Sequence, residues 1–235
     1  KKYRPANRGG DKGPRLQETV ALLERYLQEG GGVFINISEP IIYYGNANYY
    51  FAAQKALKRW GAQLPMEDVI VSPLYQRPHP RMQGKPWYYT ENIKPSPVSE
   101  GVKRLFYPDP KMMNPSWFAS GPIDVDDTWQ VVARGPKGSR TRTRQPEAET
   151  EKAEWPKWKD ALRYEKPVDE PPLIAIRDIQ TDTKGRLALM WCWERFHIGQ
   201  GTKWNYNGVM LDKGLDGLSS DFDRLFQNTM RWLAE

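Results

Sequence analysis

The stretch that most constrains the fold is RLQETVALLERYLQEGGGVFINIS, residues 15–38. Leu16, Val20, Leu23 and Leu27 recur at three- and four-residue steps with Glu and Arg between them, which predicts an amphipathic helix. Gly30, Gly31 and Gly32 follow. Glycine takes the left-handed cap conformation without steric cost, so the helix is expected to stop there. Val33–Ile37 is then a short apolar run of the kind a strand covered on both faces requires.

The same alternation continues. Asn46 or Asn48 can cap a second helix running to Trp60, with Ala52, Ala53, Ala56 and Leu57 on its small face, and Gly61 ends it. A second strand is expected at Val69–Val71. Helix, strand, helix, strand with short links predicts an α/β three-layer sandwich with a mostly parallel sheet, of the flavodoxin kind. Residues 75–120 are rich in proline and aromatics and read as a long irregular insertion with one short helix near Val98–Leu105. A strand at 129–134 precedes a polar excursion over about 135–170. Two adjacent strands, 173–179 and 186–195, are joined by the polar turn TDTKG. The closing SSDFDRLFQNTMRWLAE reads as a helix capped by Ser219 or Ser220, with Phe222, Leu225, Phe226, Trp232 and Leu233 as its buried stripe. Residues 1–14 form a basic arm or loop, and 15–235 a single domain.

Composition narrows the chemistry. One cysteine, Cys192, excludes an internal disulfide and any multi-cysteine metal site, and two histidines, His79 and His197, leave little for a zinc centre. No metal or cofactor is expected. The net charge of +6 is mild for 235 residues, so nucleic acid is not an expected partner. No apolar run approaches the roughly 20 residues of a membrane span. With a mean hydropathy of −0.77 and no signal-peptide pattern, the chain reads as soluble, either cytoplasmic or periplasmic or secreted after signal removal.

Three segments in order, ALLERYLQEGGGVFINIS, IAIRDIQTDTKGRLALMW and DFDRLFQNTMRWLAE, resemble the class I glutamine amidotransferase-like superfamily, especially its ThuA-like and related bacterial domains of unassigned role. In those domains a Gly-Gly-Gly helix end feeds the strand before the nucleophile, and a Gly-Lys-Gly-Arg strand lies near the end. Here the matching residues are Thr183, Lys184, Gly185 and Arg186. SPVSEGVKRLFYP resembles the family's HPITRGL segment, with Ser96 in place of its histidine. The resemblance implies one or two further βα units before the glycine run, lying elsewhere in a longer protein or trimmed from the sheet.

The candidate sites follow from residue type and place. Cys192 sits inside LALMWCWERF between tryptophans, a setting for core filling rather than for a reactive thiolate. Glutamine hydrolysis is therefore not expected. Ser38 stands where the superfamily has its nucleophile, but Asn36-Ile37-Ser38-Glu39-Pro40 lacks the glycines of a nucleophile elbow. Ser38, Glu39 and His197 are instead expected to line a polar pocket at the strand ends. Tyr43, Tyr44, Tyr49, Tyr50, Trp87, Trp204 and Tyr206 are the candidate aromatic binding surface, suited to a protein interface or to sugar stacking. Arg140, Arg142 and Arg144 are a weaker candidate for anion contact. The expected role is non-catalytic binding or assembly inside a larger bacterial protein or complex, with other protein chains as partners. The alternative is a carbohydrate-binding or carbohydrate-processing module.

Overall fold

The computed structural model describes residues 14–36, 47–78, 86–108, 121–144, 160–179, 185–191 and 208–235. Helix α1 (Pro14–Gln28) leads into strand β1 (Gly32–Asn36). Between them Gly30 has φ 89°. Its N–H donates to the Leu27 carbonyl at 3.1 Å and that of Gly31 to the Tyr26 carbonyl at 2.8 Å, the paired closure of a Schellman cap. The next two glycines answer to space. A methyl on Gly31 would overlap the Tyr26 ring, and one on Gly32 would overlap the Leu233 carbonyl.

Helix α2 (Ala47–Lys58) is followed by strands β2 (Ala62–Gln63), β3 (Glu67–Ile70), β4 (Gln76–Pro78), β5 (Pro86–Thr90) and β6 (Leu105–Pro108). Then come β7 (Asp124–Val125), β8 (Gln130–Arg134), β9 (Arg140–Thr143), β10 (Pro172–Ile179), β11 (Gly185–Met190) and helix α3 (Phe222–Ala234). The central sheet has the order β1-β11-β10-β8. Strand β1 is parallel to β11, and β10 is antiparallel to both of its neighbours. All other pairings among the described residues, β2–β7, β3–β9 and β4–β5–β6, are antiparallel.

These pairings correct the expected three-layer sandwich around a mostly parallel, flavodoxin-like sheet. One reason is the link between Ile179 and Gly185, too short for the crossover that parallel neighbours need. The other is β3. It was expected, at Val69–Val71, as a second strand of that mostly parallel sheet, but it begins with Glu67 and Asp68, both buried, and such carboxylates need polar partners. It finds them on β9 and just past its end, in a separate two-stranded sheet.

Side-chain alternation along the central strands divides the core in two. Phe34, Ile174, Ile176, Ala188 and Met190 join Phe222, Leu225, Trp232 and Leu233 of α3 on one face. Val33, Ile35, Ala175, Leu187 and Leu189 join Leu27 of α1 and Leu57 of α2 on the other.

The stretch expected to be irregular, 75–120, carries a three-stranded sheet instead. Trp87, Tyr88, Leu105, Phe106 and Tyr107 are buried there, and Tyr88 stacks on Tyr107 at 5.5 Å. Its prolines mark strand ends, with Pro78 opposite Pro86 and Pro108 opposite Trp87. No helix forms at 98–105; turns there lead into β6. The start of α3 also differs from expectation, because Asp221 rather than Ser219 or Ser220 holds its N-cap position. The Asp221 carboxylate accepts the N–H groups of Lys103 and Arg104 at 2.8 and 3.0 Å, tying the helix to the entry of β6. Ser220 is drawn away, its hydroxyl donating to the Met210 carbonyl. No helix among the described residues is long and apolar enough to cross a membrane.

Candidate functional site

Ser38, Glu39, Tyr43, Tyr44, Cys192, His197, Trp204 and Tyr206 lie outside the described residues, as does His79. Tyr49 and Tyr50 fall on the α2 backbone, at positions whose side chains are likewise outside the description. Trp87 is placed clearly, and not on a surface. It sits in the middle strand of the β4-β5-β6 sheet, 1% exposed. A strand paired on both edges and covered by the core gives its ring no access to a ligand.

The three candidate arginines do not act as one patch. Arg140 and Arg142 project from β9 and are exposed, whereas Arg144, just past its end, is buried. The Arg144 Nε donates to Asp68 Oδ1 at 2.7 Å. Its guanidinium lies over the Trp191 ring at 5.7 Å. Arg142 leans toward the other oxygen of Asp68, at 3.8 Å. Asp68 thus stands between two guanidiniums, and Arg144 is committed to an internal pair rather than to a surface anion. Beside it, Glu67 Oε1 accepts from the Thr143 hydroxyl at 3.2 Å and the Tyr164 N–H at 3.3 Å. Burial still outweighs these bonds and holds the Glu67 carboxyl above its ordinary value. The arrangement locks β3 to β9.

The most exposed large apolar side chain among the described residues is Leu74, at 76%. It sits on a short 3₁₀ turn, Pro73–Tyr75, that the Ser72 hydroxyl caps by accepting the Leu74 N–H at 3.4 Å. The turn is braced from behind. Arg77 Nη1 donates to the carbonyls of Leu74 and Gln76 at 2.9 and 2.7 Å, and the Tyr89 hydroxyl also reaches the Leu74 carbonyl, at 3.5 Å. Arg77 and Arg104 lie over the Tyr89 ring at 5.0 and 5.5 Å, and Tyr75 meets that ring edge-on at 5.5 Å. Arg104 is held in turn by Glu91, and Arg77 has Asp216 at 3.8 Å. An exposed leucine on a braced turn, backed by a tyrosine with arginines against its ring, is the best-formed surface feature here. Sequence reasoning missed it. The signal available was Ser72-Pro73, a turn-starting pair ahead of an apolar residue.

A second feature is a cleft of about 290 Å³ beside β2 and β7, lined by Lys58, Gly61, Gln63, Asp124 and Asp126 among others. Burial raises the Asp124 carboxyl, while bonds from Thr128 lower that of Asp126. No cluster of three or more metal-ligating side chains occurs among the described residues.

The chain matches no family model and no curated protein. Among solved structures it is similar to one titled "mmIFT52 N-terminal domain", with a TM-score of 0.51 and 13% identity. The match covers 93% of this chain and 72% of that one. At that identity the likeness concerns the fold alone.

Proposed function

We propose that this chain is a non-catalytic, protein-binding domain that serves assembly in a larger protein or complex, and that Leu74 is its anchor. The observation that carries the reading is the braced turn. Burying a leucine side chain contributes about 1.5–3 kcal/mol. A turn already fixed by Arg77 and the Tyr89 hydroxyl loses little conformational freedom on docking. Tyrosine and arginine, the residues behind it, are those that dominate protein interfaces. The structural neighbour contributes the fold, and the amidotransferase-like resemblance rests on its sequence patterns alone. The carbohydrate alternative loses Trp87, which is core.

The test is co-purification of the tagged chain from its own cells, with Leu74→Asp and Tyr89→Ala beside the parent. Proteins recovered with the parent and lost with Leu74→Asp, while that variant melts like the parent, support the reading. An identical set of proteins recovered with both would overturn it.

A further inference from the structure

The two edges of the central sheet are treated differently. The outer edge of β8 is covered: the Lys94 N–H donates to the Val132 carbonyl at 2.8 Å and the Arg134 N–H to the Asn92 carbonyl at 3.0 Å. Ile93 completes a bridge to Ala133. At the opposite edge, β1 has no strand beyond it among the described residues. The Arg186 N–H donates to the Gly31 carbonyl at 3.2 Å. By the alternation of a parallel ladder, residues 31, 33 and 35 therefore bond to β11, and the backbone groups of Gly32 and Phe34 face outward. All five residues of β1 are half-buried. The sequence Gly-Val-Phe-Ile-Asn carries no charge and no proline, the devices that keep an edge from pairing.

Both faces beside this edge carry exposed apolar side chains, set among charged residues such as Arg25 on α1 and Arg231 on α3. On α1, Glu24 reaches Arg59 just past α2 at 2.7 Å, which sets the flank turned toward the middle of the sheet. Tyr26 lies on the other flank, its ring against Gly31 where β1 begins. On α3, Asn228 donates to the Val98 and Glu100 carbonyls on one flank. Phe226, on the other, meets the Phe34 ring edge-on at 5.6 Å, with Met230 one turn further along. Leu22 and Tyr26 are 55% and 51% exposed, and Met230 is 44% exposed. With Leu74 they are the exposed large apolar residues among those described, and three of the four lie on the two helices that flank β1.

We propose that the β1 edge is a dimer interface, filled by β1 of a second copy of this chain running antiparallel about a two-fold axis at Phe34. An axis perpendicular to the sheet sets α1 beside its own copy on one face and α3 beside its own copy on the other. Leu22 and Tyr26 meet their counterparts, and so does Met230. Phe34 stands opposite Phe34, exchanging two backbone hydrogen bonds, with the rings forming a cross-strand aromatic pair. A self-paired contact must tolerate its own charge, and an uncharged strand does so. Four strands from each copy then form one continuous sheet. This surface is separate from Leu74, so either proposal can fail alone.

The test combines light scattering of the full chain with amide hydrogen exchange at Phe34. A concentration-dependent dimer with a protected Phe34 amide is expected. The double substitution Leu22→Glu, Met230→Glu, at exposed positions, should weaken association by about tenfold or more, as loss of an anchor does, with the melting curve retained. A chain that stays monomeric at about 100 μM, far above the dissociation constants of standard-sized interfaces, overturns the proposal. A freely exchanging Phe34 amide in that monomer would mean an edge open to a different protein. A protected one would mean an edge covered by another part of the same chain. A dimer indifferent to the double substitution overturns it as well.

Discussion

Replacing Asp68 with alanine removes the acceptor that holds Arg144 at 2.7 Å and leaves a buried guanidinium against the Trp191 face. Among the described residues the Arg144 Nη2 has no hydrogen-bond partner even in the parent, so Asp68 is the one acceptor that they offer its guanidinium within hydrogen-bond distance. Breaking one side of a buried pair costs about 3–5 kcal/mol. That is a large part of the roughly 5–15 kcal/mol by which domains are stable. Arg142, on the other side of Asp68, is half-exposed, and its loss should cost about 1 kcal/mol or less. With a urea slope of about 2 kcal/mol/M, Asp68→Ala should lower the unfolding midpoint by about 1.5–2.5 M. The companion variant, Asp68→Leu with Arg144→Met, removes both charges and should recover most of that loss, because an apolar pair carries no desolvation cost. Urea melts of the parent, Asp68→Leu, Arg144→Met and their double make the cycle, with Asp68→Ala measured beside them. An Asp68→Ala variant within about 1 kcal/mol of the parent, or a double variant no better than the single, would refute the buried-pair argument.

Three further outcomes are expected. Burial raises the Glu67 carboxyl above 4.5, so the folded chain holds that proton more tightly than the unfolded one. Ionised Glu67 therefore costs stability at neutral pH, and the cost fades as pH falls through the raised value toward 4.5. Glu67→Gln should be more stable than the parent at neutral pH, with an advantage that shrinks on acidification; an advantage independent of pH would contradict this. Gly32→Ala drives a methyl into the Leu233 carbonyl and should cost at least about 2 kcal/mol in thermal melts. Leu74→Asp, on an exposed turn, should leave the melting free energy within about 0.5 kcal/mol, which makes it a clean probe of binding.

Local rules carried the chain a long way, and failed where a choice of partner decided the outcome. The α1–glycine–β1 unit was readable because three constraints coincide there: a left-handed cap at Gly30 and close approaches at Gly31 and Gly32. The stripe of α3 was readable from its helical spacing, with Phe222, Leu225, Trp232 and Leu233 buried and Phe226 half-buried. Strand β3 was found, but not its partner. Its apolar Val69 and Ile70 suggested the central sheet, while Glu67 and Asp68 directed it to β9. The aromatics of 86–90 and 105–108 looked like loop residues because prolines surround them, yet those prolines only bound the strands. The surface site was the least legible. Tyr89 becomes a platform only because Arg77 and Arg104, from two other segments, close on its ring. No spacing in the sequence encodes that.

The most direct measurement places a photo-crosslinking amino acid at position 74 of the chain in its own cells and identifies the adducts by mass. The account predicts covalent adducts to one or a few defined proteins, absent when the same probe replaces the exposed Lys137 on a different turn. Equal labelling at both positions, or none at 74, would contradict it.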